Sequence, residues 1–178
     1  MERKTAFIGH GEYFERAIDD ALRKKIRELI ASGCKNFIMG THGRFDEMAL
    51  YYCRQERVAH KDLKIEVVIS NFNLLQKRDE YGVLLYDDVE PITYEIERVH
   101  YKNRIKFCNK KMIDECDTLI CYVDENRIIS NAVYFLKYAR SKGKKIINVY
   151  GAKPDPSSVL TDEQIEKYHR ILNSGKIK

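Results

Sequence analysis

The residues best suited to chemistry fall in two short stretches, Gly9-His10-Gly11 and the run from Asn36 to Ala49. In the second, the apolar Phe37-Ile38-Met39 breaks on Gly40 and Gly43, then continues as a helical pattern that carries Asp46 and Glu47. A buried strand that passes through a tight loop into a helix aims free backbone N–H groups and the positive end of the helix dipole at one point. An anion such as phosphate is stabilised there. The segment Gly40-Thr41-His42-Gly43-Arg44 is therefore a candidate anion-binding loop, in which Arg44 can add a two-pronged contact to phosphate. His10 and His42 lie one in each loop. Each reads equally as a ligand contact or as a plain polar loop residue, and proton transfer is the weaker reading.

Asp46 and Glu47 open a helix, where acids complement the dipole. The functional alternative is a carboxylate that grips sugar hydroxyls or acts as a general base. Asp114 and Asp117 flank the end of a later helix, where acids oppose the dipole. A structural hydrogen bond to a nearby loop is their expected purpose. A third loop, Asp124 to Asn131, offers Ser130 and Asn131 at a helix start. The fingerprints G-x-G-x-x-G and G-x-x-x-x-G-K-[ST] are absent. So are H-x-x-H and C-x-x-C spacings, and no metal and no separate cofactor are expected.

These loops need elements to position them. Lys4 to Ile8, Phe37 to Met39, Leu63 to Ile69, Thr118 to Val123 and Lys145 to Tyr150 read as strands. Phe14, Ile18, Leu22, Ile26, Leu29 and Ile30 recur at helical steps, closed by Gly33 as a left-handed cap. Phe45, Ala49, Tyr52 and Cys53 mark a second helix. A third is expected from about Glu97 to Glu115, with Ile105, Cys108, Met112 and Ile113 inward. A fourth, capped by Ser130 or Asn131, buries Val133, Leu136 and Ala139 and ends at Gly143. Residues 70–96 are irregular, with Val83 to Tyr86 as a candidate strand; so long a connection is often functional. Alternation of strands and helices predicts an α/β fold, a Rossmann-like three-layer sandwich on a mainly parallel sheet of about five strands. Residues 1–150 form the domain. Residues 151–178 are a linker and a helical tail, with Thr161-x-x-Gln164 as a capping box ahead of Ile165, Tyr168 and Leu172.

Composition narrows the classes. The net charge of +5 suits an anionic small ligand and falls short of a dedicated nucleic-acid binder. Five cysteines without a paired spacing speak against a disulfide framework and for a reducing cytoplasm. No apolar run approaches the roughly 18 residues that cross a bilayer, and the short run after Lys4 is no secretory signal. The bases of residues 98–111 read by default as a solvated helix face.

Together these pieces resemble the SLOG superfamily, named for the Smf/DprA and Lonely Guy proteins, and within it the small stand-alone branch typified by YpsA. The resemblance spans roughly residues 4–150. It rests on Gly9-His10, on Gly40-Thr41-His42-Gly43-Arg44-Phe45-Asp46-Glu47-Met48-Ala49 against G-G-x-x-G-F-D-x-x-A, and on Cys108 to Asp117 against R-N-x-x-M-V-D-x-S-D. Ala139 to Asn148 matches A-x-x-x-G-K-x-I-x-N. The resemblance implies a Rossmann-like fold that holds a nucleotide or a nucleotide derivative, with Asp46, Asn109 and Asp114 as the positions that carry over. The chain departs from the pattern at Thr41 to Gly43, at Cys108, and at Ile129-Ser130-Asn131. It also lacks the P-G-G-x-G-T-x-x-E motif of the Lonely Guy phosphoribohydrolases, so that activity does not carry over.

The expectation is a sensor of an ADP-ribose- or NAD-like molecule. Gly9, His10, Gly40 to Arg44, Asp46, Asn109, Ser130 and Asn131 would touch the ligand. Two rivals stand beside it. One is an N-glycosidase or phosphoribohydrolase-type enzyme using Asp46, Glu47 or Asp114. The other is single-strand nucleic-acid binding, against which the modest charge argues. No membrane partner is expected, and pairing of copies through helix faces is open by analogy with other βα folds.

Overall fold

The computed structural model describes residues 3–11 and 16–153. Phe14 of the first helix and the whole expected tail helix lie outside the described residues. Six strands form one sheet: β1 (Lys4–Gly9), β2 (Asn36–Met39), β3 (Lys64–Val68), β4 (Glu90–Ile92), β5 (Thr118–Tyr122) and β6 (Lys145–Asn148). Their order is β4-β3-β2-β1-β5-β6, and every pairing is parallel. Four helices cover the sheet: α1 (Arg16–Ala31), α2 (Arg44–Ala59), α3 (Arg104–Glu115) and α4 (Asn131–Ser141).

The apolar runs are continuous because both faces of the sheet are covered. Alternate side chains sort the core into two layers. Phe7, Phe37, Met39, Ile65 and Val67 pack with Ile18, Leu22 and Ile26 of α1 and with Phe45, Ala49 and Cys53 of α2. Ala6, Ile8, Ile38, Val68, Leu119 and Cys121 pack with Cys108, Met112 and Ile113 of α3 and with Val133, Leu136 and Ala139 of α4. Gly33 and Gly143 adopt φ of 89° and 67° just beyond α1 and α4, the left-handed conformation of a helix C-cap. Ser130 caps α4, its Oγ accepting the Val133 N–H at 3.4 Å.

Three expectations change. The sixth strand is not Val83 to Tyr86, which contributes only an isolated antiparallel bridge between Leu84 and Arg78. It is Glu90–Ile92, whose Pro91 reads in sequence as punctuation. Proline has no N–H to donate, but an edge strand needs donors on one side only, and Ile69 N–H reaches Ile92 O at 2.8 Å. The third helix also starts later than expected. Tyr94 and Glu95 turn the backbone to positive φ, Ile96 is fully buried, and two 3₁₀ turns (Ile96–Arg98 and Tyr101–Asn103) precede Arg104. Finally, Ile105 is an exposed residue of α3 rather than an inner one.

The long connection between β3 and β4 is tied down by charge. Arg54 and Arg57 of α2 both hold the Asp88 carboxylate. They also donate to Leu85 O at 2.6 Å and to Asp88 O at 2.8 Å. The pair is half-exposed, so Asp88→Ala is expected to lower global stability by at most about 1 kcal/mol, yet to free residues 77–88 locally. Limited proteolysis checks this: faster cleavage within 77–88 is expected, and an unchanged digestion rate would count against the clamp.

Candidate functional site

In an open parallel sheet a crevice forms at the carboxyl ends of the strands where the order switches sides. Here β1 is that point. It pairs with β2 on one side and with β5 on the other, while α2 and α4 start on opposite faces. A cleft of about 430 Å³ opens there, lined by Gly9, Gly11, His42, Asp46, Asn109 and Asn131, with Lys102, Asn103, Ile105 and Lys106 completing its rim. His10 and Ser130 line a smaller adjoining recess with Arg127 and Ile129.

The two glycine loops touch. A Cβ on Gly43, at φ 117°, would lie 2.7 Å from Gly11 Cα, and a Cβ on Gly9 would lie 2.6 Å from the Phe45 ring. Only glycine permits either approach. This packing turns the second loop inward. The His42 N–H donates to Asp46 Oδ2 at 3.0 Å, and the Arg44 N–H points at Gly11 O at 3.5 Å. Two amides expected to face an anion are therefore engaged within the chain. His42 Nε2 meets the Ser70 hydroxyl, Thr41 Oγ1 donates to Val68 O at 3.4 Å, and burial lowers the His42 imidazole below its ordinary value.

Asp46 sits at the cleft floor, 9% exposed. Its third-position link back to the His42 N–H is a displaced half of a capping box. A surface cap, however, would keep its water, and Asp46 does not. Among the described residues no ion pair compensates it, and burial raises its carboxyl to about 7. Gly40 makes the room: a Cβ there would lie 2.7 Å from Asp46 Oδ2 and 3.8 Å from Asn109 Oδ1. The Asp46 and Asn109 side chains thus flank one glycine from two different helices.

His10 is a connector. Its Nε2 accepts the Asp124 N–H at 2.9 Å, which fixes the proton of the neutral ring on Nδ1, 3.4 Å from Ser130 Oγ. That hydroxyl also caps α4, so His10 ties the end of β1 to the helix start that presents Asn131.

Of the expected site residues, Gly40, Thr41, Gly43, Arg44, Glu47 and Asp114 do not line the cleft. Asp114, five residues beyond Asn109, lies in the last turn of α3 just before β5, toward the amino ends of the strands. There its Oδ1 accepts the Tyr138 hydroxyl at 2.8 Å and meets Lys142 Nζ at 3.6 Å. A helix that runs back against its strands carries its two ends to opposite sides of the sheet. Glu47 and Arg44 pair with each other at 3.2 Å on the outer face of α2. Asp117 accepts the Lys4 N–H at 2.9 Å, a bond to the start of β1 and not to the nearby loop that was expected.

Lys102 and Lys106, read from the sequence as a solvated face, and Ile105, read as an inner position, line the cleft together with Asn103, for which there was no sequence reading. The clue to the lysines was the four-residue step from Lys102 to Lys106 ahead of Asn109, visible but indistinguishable from an ordinary solvated face. Among the described residues no cluster of His, Cys, Asp or Glu is placed to hold a metal ion, and no helix is long and apolar enough to cross a membrane. The five cysteines are free and buried, and burial pushes the Cys108 and Cys116 thiols up to about 11.

Asp46 makes stability depend on pH. Unfolded, the carboxyl loses its proton near its ordinary 3.8; folded, it keeps it up to about 7. Between those values the folded state binds more protons, so its stability falls as pH rises, by roughly 4 kcal/mol across the window. Asp46→Asn is expected to melt near wild type at pH 4 and clearly above it at pH 8. Calorimetry at the two pH values checks this, and equal melting temperatures at pH 8 would refute it. Comparison with protein-family models gives no match, and comparison with curated proteins gives none.

Proposed function

We propose that the cleft binds a nucleotide or a nucleotide-derived molecule of the ADP-ribose or NAD type, and that the protein acts as a sensor of that ligand. The observation that carries this reading is Asp46, a buried carboxylate at a ligand-sized cleft, held by one backbone N–H and compensated by no described cation. Such a group gains most from a ligand that brings its own donors. Vicinal ribose hydroxyls are donors of that kind. Asn109 supplies both a donor and an acceptor beside it, suited to orient a base or the sugar. The lysines at the rim favour an anionic ligand. The resemblance of residues 4–150 to the SLOG superfamily supports the same ligand class.

One feature favours a second reading, an N-glycosidase-type enzyme. A carboxyl that titrates at about 7 holds a proton it can deliver to a departing base and afterwards draw one from water. Both readings use the same residue and differ in turnover.

A melting-temperature panel of nucleotides, ADP-ribose and NAD, with chromatography of each incubated mixture, tests them together. The sensor reading expects at least one compound to raise the melting temperature of the wild type, to fail with Asp46→Ala and with Asn109→Ala, and to be recovered intact. Released base that disappears with Asp46→Asn would replace the sensor by the enzyme. A panel in which nothing shifts the wild type would remove the nucleotide reading.

A further inference from the structure

The glycine loop is not the feature that the cleft offers to an anion. Two of its N–H groups are engaged within the chain, by Asp46 and by Gly11 O, and its Arg44 is paired with Glu47 on the outer face of α2. Positive charge enters the cleft from the other side. Lys102, in the turn before α3, and Lys106, in its first turn, both line the cleft, and Lys110 stands one turn further along the same ridge. None of the three forms an ion pair with a described carboxylate, and Asp114 acts on Lys110 only at longer range. Asp114, the next acid along α3, is already engaged by Tyr138 and Lys142.

The Lys106 and Lys110 ammonium groups rest on the aromatic rings of α4. Lys106 lies 4.5 Å from the Tyr134 ring centre, and Lys110 lies 5.6 Å from Tyr134 and 5.1 Å from Tyr138. The hydrogen bond from Lys110 and the charge of Lys106 together pull the Tyr134 phenol below its ordinary range.

We infer that this ridge receives a chain of consecutive phosphates running out of the cleft, so that the ligand is a nucleoside di- or triphosphate type of molecule whose phosphates lie along α3 and not on the glycine loop. The inference rests on the nucleotide reading of the cleft and deepens it. Successive turns of a helix advance about 5.4 Å, so Lys106 and Lys110 stand about one turn apart, with Lys102 one step before them. One anionic group alone could not satisfy Lys102, Lys106 and Lys110 together. Polyphosphate oxygens can, each ammonium taking one or two.

Titration calorimetry on the full chain separates the two claims. The probes are inorganic phosphate and triphosphate, and the 5′-mono-, di- and triphosphates of adenosine and guanosine, each at two salt concentrations. Affinity is expected to rise with every added phosphate and to fall more steeply with salt as phosphates are added. Lys106→Gln and Lys110→Gln are each expected to weaken triphosphate binding about tenfold and to leave monophosphate binding nearly unchanged by Lys110→Gln. Nucleotides that bind equally whatever their phosphate number would overturn the ridge assignment and leave the nucleotide reading standing. Inorganic triphosphate that binds as tightly as the nucleoside triphosphates, with the same lysine dependence, would uphold the ridge and sink the nucleotide reading. A single-stranded oligonucleotide that outcompetes every triphosphate through the same lysines would overturn the assignment to one nucleotide's phosphate chain.

Discussion

The passage of one glycine loop over another governs the carboxyl end of this sheet. Gly43 rests on Gly11, and Phe45 crosses Gly9 to stack on Tyr122 of β5 at 6.0 Å. Side chains at these glycines would separate β1 from the start of α2. With the loops in contact, the second loop turns its amides toward Asp46 and toward the first loop. A loop packed in this way is a poor anion cradle, because a donor already bonded gains little from a ligand. On the proposed reading, recognition shifts from backbone to side chains, to Asp46 and Asn109 and to Lys102 and Lys106.

The two ends of the sheet treat charge in opposite ways. At the amino end, Lys4 Nζ bonds Glu66 at 2.6 Å and Glu115 at 3.3 Å, Lys64 joins Glu66 and Glu90, and Tyr94 donates to Glu115 at 2.9 Å. Glu66 is 5% exposed there and is surrounded by cations. Its partners hold Lys4 charged against the cost of its burial. At the carboxyl end Asp46 is also buried, yet among the described residues its hydrogen bond comes from a backbone N–H and no ion pair meets it. Paired burial is what a scaffold needs; unpaired burial beside a cavity keeps a group responsive to whatever enters.

Much of this was legible in the sequence because its signals were local or strongly periodic. The central strands announce themselves as short apolar runs, since both faces of β1, β2 and β5 are covered. Gly33, Gly143 and Ser130 mark helix ends through backbone preferences that owe little to tertiary context. What escaped depends on distant parts of the chain. The three residues of β4 carry too little pattern to register, and Pro91 masks them. The start of α3 is set by the burial of Ile96 and the left-handed turn at Tyr94 and Glu95, neither of which has a sequence period. Because that start fixes which ridge faces the cleft, Lys102 and Lys106 could not be separated from a solvated face. Asp114 escaped for a related reason: its place follows from the direction of α3 across the sheet, not from its closeness to Asn109 in sequence.

The pairing of β1 with β5 carries a kinetic consequence. The Lys4 N–H that bonds Asp117 joins residues 113 apart in the chain, whereas β1 and β2 are linked through one helix. Contacts of such long range close large loops and form slowly. Residues 4–92 can assemble β1 to β4 before β5 reaches the open edge of β1. The cleft has walls only once that edge is filled, so it is completed late in folding. Chains shorter than about the end of α4 therefore lack the residues of α3 and α4 that wall the cleft.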